Sequence, residues 1–222
     1  DQGDFSYLFN YLDTTSPTSY YYSFNVDPYF RDLYNDGDYR KDLIQWGTDP
    51  GATVKEHSIV WMRNKKFRFR DVENKLADII LMRVAEIYLI NAEAKAQLND
   101  PDAVNVLNTL KAARGADLTA TGLSKQELLE EIWLERRKEL WGEGFAMFDI
   151  KRLDKQVIRS YAGTNHPEGY RWNADVYGTN DGNNYPNWMD FCIVQTEGNY
   201  NTELVNNPTP IKPTSDSSEY SW

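Results

Sequence analysis

The chain has 222 residues, 24 basic and 34 acidic, giving a formal net charge of -10. That length buries a sizeable core, and the acidic excess argues against nucleic acid, whose phosphates are bound through clustered Lys and Arg. The single Cys192 excludes an internal disulfide and a Cys-cluster metal site, and no apolar run approaches the roughly 20 residues of a membrane helix.

Aromatic residues divide the chain: fourteen lie in residues 1–61, ten in 161–222 and only seven between. The aromatic flanks are also rich in Gly, Asn, Asp, Pro and Ser, so they read as irregular loops carried on a helical middle. A single domain is expected, with loops over 1–74, a helical core over 75–160 and a loop-rich part over 161–222. No basic and apolar signal peptide opens it. Asp1-Gln2-Gly3-Asp4 reads as the interior of a longer protein, with any export signal or lipid attachment site upstream.

In the first zone, Tyr20–Phe24 and Ser58–Met62 are candidate short strands. Asp32–Gly37 has some spacing of a calcium loop, but Tyr34 takes a ligand position and Leu43 stands where the bidentate Glu belongs. Lys65–Arg70 alternates basic and aromatic residues and reads as an edge strand with solvated charges.

The middle is helical. Leu76, Ile79, Ile80, Val84, Ile87, Tyr88, Asn91, Ala94 and Leu98 recur at three- and four-residue steps. Asp100-Pro101 supplies a cap and a first-turn proline, Ala103, Val104, Leu107 and Leu110 form the next stripe, and Gly115 terminates it. So short a connection predicts an antiparallel helical hairpin, with Ala85, Ala92, Ala94 and Ala96 allowing close approach, as in tetratricopeptide-like pairs. A third helix opens on the capping box Ser124-Lys125-Gln126-Glu127 and ends or bends at Gly142 or Gly144. Trp133 and Trp141 on it read as core. Beyond Arg159, Gly178–Asn184 is a loop tip, Phe191–Val194 a short strand candidate and Asn206–Trp222 a wandering tail.

Glu135, Glu139 and Glu143 align at four-residue spacing, a like-charge row that is unfavourable unless cations answer it. Arg83, Arg137 and Arg152 are the expected answer. Paired carboxylates also drive glycoside hydrolysis, but the row reads better as an inter-helix ion-pair network. There is no Gly-x-Ser-x-Gly elbow, phosphate loop or dinucleotide fingerprint, and His57 and His166 lack any ligand motif. No metal or cofactor is expected.

Three stretches together resemble the SusD/RagB family of outer-membrane nutrient-binding lipoproteins. They are Asp78 to Ala94, then Leu107-Asn108-Thr109-Leu110-Lys111-Ala112-Ala113-Arg114, then Glu135 to Arg152. Ile193–Glu197 and Asn206-Asn207-Pro208 are similar to the family's closing elements, though Ala146 replaces a usual Arg and Val194 a usual proline. The resemblance implies a mainly α fold: a tetratricopeptide-like hairpin plus a further helix, with long aromatic-rich loops and a few short strands. It also implies the C-terminal portion of a longer protein. The implied function is non-catalytic binding of glycans or oligosaccharides at the bacterial surface and delivery to a SusC-like TonB-dependent transporter. Attachment to the outer membrane would be only through a lipid anchor upstream.

The family motifs lie in the scaffold, so site residues must come from local chemistry. Saccharide rings stack flat C–H faces on Trp and Tyr while their hydroxyls bond to Asn, Asp, Gln and Arg. Trp46 beside Gln45, Trp61 beside Arg63, Tyr170-Arg171-Trp172-Asn173 and Tyr185-Pro186-Asn187-Trp188 offer that pairing. The expected ligand-binding residues are Trp46, Trp61, Arg171, Trp172, Tyr185 and Trp188. Two alternatives stand beside this reading: a helical glycoside hydrolase or lyase using Asp175, Asp181 or Asp190, and a helical-repeat scaffold for protein partners.

Overall fold

The computed structural model describes residues 26–46, 62–64, 66–67, 70–71, 73–74, 76, 78, 80–179, 182–207, 209 and 212–222. The expected strand at Tyr20–Phe24, most of that at Ser58–Met62, and Trp61 lie outside the described residues. The fold is mainly α and divides into two compact units, Asp1–Glu143 and Gly144–Trp222.

In the first unit, helix α1 (Pro28–Asp32) starts on Asp27, whose carboxylate accepts from the Tyr29 amide at 2.9 Å, with a proline in its first turn. A 3-10 turn at Tyr39–Leu43 leads into strand β1 (Ile44–Trp46), which pairs antiparallel with β2 (Met62–Asn64), Ile44 facing Asn64. Val26, Phe30, Tyr34 and Ile44 form a buried cluster, against which Leu33 and Trp141 pack.

Helices α2 (Val84–Gln97) and α3 (Ala103–Ala112) form the expected hairpin, and both pack on α4 (Lys125–Leu140). The capping box is present: the Ser124 hydroxyl accepts from the Glu127 amide, and the Glu127 carboxylate accepts from the Ser124 amide at 2.7 Å. Gly115 ends the α3 segment at φ +69°, with its Cα so near the Gly37 carbonyl that an added Cβ would sit 2.3 Å from that oxygen. Asn108, from the second family-like stretch, clamps the chain beyond α3. Its amide donates to the Thr119 carbonyl at 3.0 Å and its oxygen accepts from the Thr119 amide at 2.8 Å.

Two expectations about α2 need correction. The helix starts at Val84, and residues 80–83 are not helical; Arg83 is extended (φ -130°, ψ 146°). The inward face is also different from the one the apolar stripe indicated. Ala85, Leu89, Ala92 and Ala96 are buried, whereas Val84, Ile87, Tyr88 and Leu98 are exposed. Small side chains take the interior because they let helix axes approach, and the bulky stripe points outward.

The basic stretch is likewise no solvated edge strand at its described positions. Lys66 and Phe67 lie in a bend, Phe67 is buried, and the Lys66 ammonium turns inward to the Glu139 and Trp141 carbonyls at 2.9 and 2.8 Å.

In the second unit, α5 (Ala146–Arg152), α6 (Ala174–Tyr177), a 3-10 turn at Asn187–Met189 and α7 (Gln195–Tyr200) are separated by long loops. Phe191–Val194 is not a strand. The Asn206 side chain takes the place of a pairing partner, donating to the Ile193 carbonyl and accepting from its amide, both at 2.7 Å. The tail does not wander either. The Tyr220 amide donates to the Ser160 carbonyl at 2.8 Å, the Ser217 hydroxyl to the Arg171 carbonyl at 2.7 Å, and Asp216 accepts from the Gly169 amide at 2.8 Å.

Candidate ligand-binding surface

The charged row on α4 is fully spent on architecture. Glu135 and Glu139 are only 1% and 4% exposed. One Glu139 oxygen is 2.7 Å from Arg83 and 2.9 Å from Arg114, and the other is 2.7 Å from Arg40. Glu143 meets Arg83 at 2.7 Å and also pairs with Lys66. Glu135 touches Arg40 at 2.7 Å and Lys138 at 2.9 Å, ion-pair contacts off the ideal hydrogen-bond angles. Arg40 itself is closed by Asp38 at 2.6 Å.

Of the expected cations only Arg83 answers the row. Arg137 lies over the Phe30 and Trp133 rings, and Arg152 bonds Asp149 at 2.8 Å. Arg40, Arg114 and Lys66 come from elements too distant in sequence for helical spacing to reveal.

Electrostatics follow the packing. Burial alone would raise the Glu139 pKa, but hydrogen bonds from Arg114 and Arg83 and the charges of Arg114 and Arg40 hold it down at about 2. Burial pulls the Lys66 ammonium down to about 8 despite Glu143. With both oxygens of Glu139 occupied, neither Glu139 nor Glu135 is free to act on a substrate. Asp38, just after the calcium-like stretch, is held by Arg40, and the Asn35 oxygen within it by the Asp117 amide at 3.1 Å. Among the described residues no group of His, Cys, Asp or Glu has the arrangement of a metal site.

The aromatic loops of the second unit behave differently. Asn173, buried just before α6, has an oxygen that accepts from the Arg159 and Ser160 amides at 2.7 and 2.9 Å; its amide donates to the Ser160 and Ser218 carbonyls at 3.3 Å each. That clamp fixes the start of α6, whose last residue is the buried Tyr177. The Tyr177 ring is the hub: Trp172 meets it edge-on at 5.8 Å and Trp188 is tilted against it at 5.8 Å. Tyr170 extends the row, 5.6 Å from Trp172. Thr179 and Pro186 bridge the two arms of the intervening loop, bringing residues 172 and 188 to one ring.

Trp172 and Trp188 are half-buried and Tyr170 is exposed, so the row keeps open ring surface. The Trp188 indole nitrogen and the Asn187 side-chain oxygen are buried with no hydrogen-bond partner, one donor and one acceptor on neighbouring residues. Each such group costs on the order of 1–3 kcal/mol while unanswered.

Four of the six expected site residues thus lie in the second unit. Trp172 and Trp188 share the Tyr177 ring. Arg171 is engaged internally, its Nε donating to the His166 carbonyl at 2.9 Å. Tyr185 has Lys151 5.7 Å from its ring centre and its hydroxyl 3.4 Å from Asp190, which Lys151 also pairs at 2.6 Å. Trp46 lies in β1, its side chain outside the described residues along with Trp61. Sequence reasoning singled out the stretch that holds Tyr170 but left it out of the expected set, and it missed Tyr177. The signal for Tyr177 was its place before Gly178, which ends α6 and turns the chain back at φ +70°. For the hydrolase alternative, Asp190 is committed to Lys151, Asp175 stands exposed, and Asp181 lies outside the described residues.

The model of the SusD family matches residues 32–209. A SusD-like carbohydrate binding protein of Bacteroides vulgatus superposes with a TM-score of 0.67 at 66% identity, over 76% of this chain and 35% of its own. A SusD superfamily protein of Bacteroides thetaiotaomicron shares the fold, with a TM-score of 0.61 at 22% identity over 93% of this chain and 45% of its own. The SusD-like protein P38 of Formosa agariphila is 34% identical over 132 residues, which are 54% of this chain and 25% of that protein. The chain therefore spans less than half the length of each of these relatives. Its helical hairpin, its third helix and the ion pairs joining them lie within the matched residues, and the chain belongs to the SusD family.

Proposed function

We propose that this chain is part of a non-catalytic, cell-surface protein that binds glycans or oligosaccharides and passes them to a TonB-dependent outer-membrane transporter. Family membership and the carbohydrate-binding relative of Bacteroides vulgatus support the ligand class. The observation that carries the reading is the ring row Tyr170–Trp172–Tyr177–Trp188, with Tyr170 exposed and both tryptophans half-buried. Stacked rings suit pyranose faces, with Arg171 and Tyr185 as the polar residues that would add hydroxyl partners. Attachment to the outer membrane would be through a lipid anchor outside this chain.

A stacked ring covering about 60 Å² gives roughly 1.5 kcal/mol at 25 cal/mol/Å², or about tenfold in affinity. Weak contacts of this kind suit a polymer, which gains avidity from several sites. Affinity electrophoresis across plant, host and microbial polysaccharides is the test. At least one glycan should retard the protein, Trp172→Ala and Trp188→Ala should each weaken retardation about tenfold, and no new reducing ends should appear. Turnover would establish the hydrolase reading instead, and unchanged retardation in both variants would remove the ring row from the site.

A further inference from the structure

The second unit carries another set of rings, which the row Tyr170–Trp172–Tyr177–Trp188 does not include. Trp222 meets the buried Tyr161 ring edge-on at 6.2 Å and the Tyr220 ring at 5.1 Å. Tyr220 and Trp222 are nevertheless 41% and 64% exposed. Tryptophan is highly buried on average, so an indole fixed by two rings with most of its surface in solvent is an informative exception. Edge contacts of this kind leave ring faces for a stacking ligand. The backbone beneath is fixed as well. Tyr220 bridges Tyr161 in parallel, and its amide donates to the Ser160 carbonyl at 2.8 Å. The same carbonyl accepts from the Asn173 side chain at 3.3 Å, so the clamp next to Trp172 also sets Tyr220. Two residues before Tyr161, Arg159 donates to the Tyr177 hydroxyl at 3.4 Å. One short segment, Arg159-Ser160-Tyr161, thus touches the hub of the first ring set and the base of the second. Even fully extended, its ends are no more than about 7 Å apart.

We infer that Tyr220 and Trp222 form a second saccharide-stacking subsite, which takes a further part of the same glycan chain that lies on the ring row. The inference rests on the glycan reading given above. The surroundings of the two rings choose that occupant. Glu219 and Ser221, which flank Tyr220, are exposed and offer a carboxylate and a hydroxyl to sugar hydroxyls. Two rings set among polar residues fall short of the contiguous apolar patch, larger than roughly a few hundred Å², that marks a protein interface. The acidic neighbour Glu219 and the net charge of -10 oppose an anionic lipid surface. A chain that reaches both ring sets joins two weak contacts into one stronger binding event, because the second contact is made at high effective concentration.

The test is calorimetric titration of the protein with mixed-linkage β-glucan, xylan, mannan and galactan, each as trisaccharides and as decasaccharides. For a glycan that binds, the decasaccharide should bind more tightly than the trisaccharide. Trp222→Ala should weaken the decasaccharide about tenfold, the worth of one stacked ring, and leave the trisaccharide unchanged. Trp222→Tyr, which keeps a ring at that position, should recover most of the loss. An equal loss for both lengths would mean that the substitution only loosens the ring row, and the inference falls. It falls equally if Trp222→Ala changes neither affinity. In both of those cases a loss on Trp172→Ala leaves the glycan reading standing. If none of the four glycans binds at either length, that reading and this inference fall together.

Discussion

Glu139 shows how one side chain organises a region. Three guanidiniums from three different elements converge on it: Arg40 beside β1, Arg83 ahead of α2 and Arg114 beyond α3. Removing one partner of a buried pair leaves uncompensated charge, at about 3–5 kcal/mol. Glu139→Gln is therefore expected to lower the thermal midpoint sharply, read by differential scanning calorimetry. The same group sets an acid limit. Its folded pKa of about 2 lies below the ordinary glutamate value of 4.5, so the folded state holds the charged form more tightly than the unfolded chain does. The stabilisation is complete above about 4.5 and drains away as pH falls towards 2. Urea titrations through that window should show the wild type losing stability and Glu139→Gln losing much less. Gly142 makes a separate point. It sits at φ +76°, and an added Cβ would be 2.4 Å from the Phe67 ring, which stacks edge-on with Trp141 at 5.6 Å. Gly144, at φ +91°, has nothing within 4 Å. Both Ala variants incur the left-handed strain of roughly 1–2 kcal/mol, and Gly142→Ala should be measurably the worse by also displacing Phe67.

At the scale of elements, α2 and α4 show what periodicity reveals and what it conceals. For α4 the capping box, the apolar positions and the glutamate row all coincided with the structure. A row of like charges on one face has a single sensible resolution, an opposing set of cations. Of those cations only Arg83 was legible, because Arg40 and Lys66 come from segments that sequence spacing does not place. For α2 the pattern held two stripes, the alanines read as allowing close approach and a bulkier apolar one, and the bulkier one was taken for the inward face. The interior took alanines because hairpin axes can approach only where side chains are small. Ala92, with no exposed surface, is the sharpest test. Ala92→Leu overpacks the hairpin and should cost about 1–3 kcal/mol, seen as a lower denaturant midpoint, whereas Ala94→Leu on the exposed side should be nearly neutral.

At the scale of the whole molecule, the two units differ in how they hold together. The first has a helical frame with a buried charge network, and the second depends on side chains clasping backbone. Its last residues close that clasp through Asp216, Ser217, Ser218 and Tyr220. Deleting residues 216–222 should therefore loosen the aromatic row while sparing the first unit. Limited proteolysis is expected to cut within 160–190 and leave 84–140 protected.

Sequence alone determined the helical frame, the capping box of α4 and the family, because these rest on local spacing: helical periodicity, capping chemistry and charge rows repeat every few residues; the cap expected at Asp100-Pro101 gives way to a start at Ala103 after Asp102. It also picked out Trp172 and Trp188, since rings beside polar groups in a turn-rich region are visible without coordinates. Tertiary structure decided which α2 face is inward, which cations neutralise α4, that Asn173 clamps backbone instead of facing a ligand, and that Tyr177 joins the two tryptophans. Each of those is a contact between residues far apart along the chain or on opposite arms of a loop, and only packing selects among the partners that composition allows.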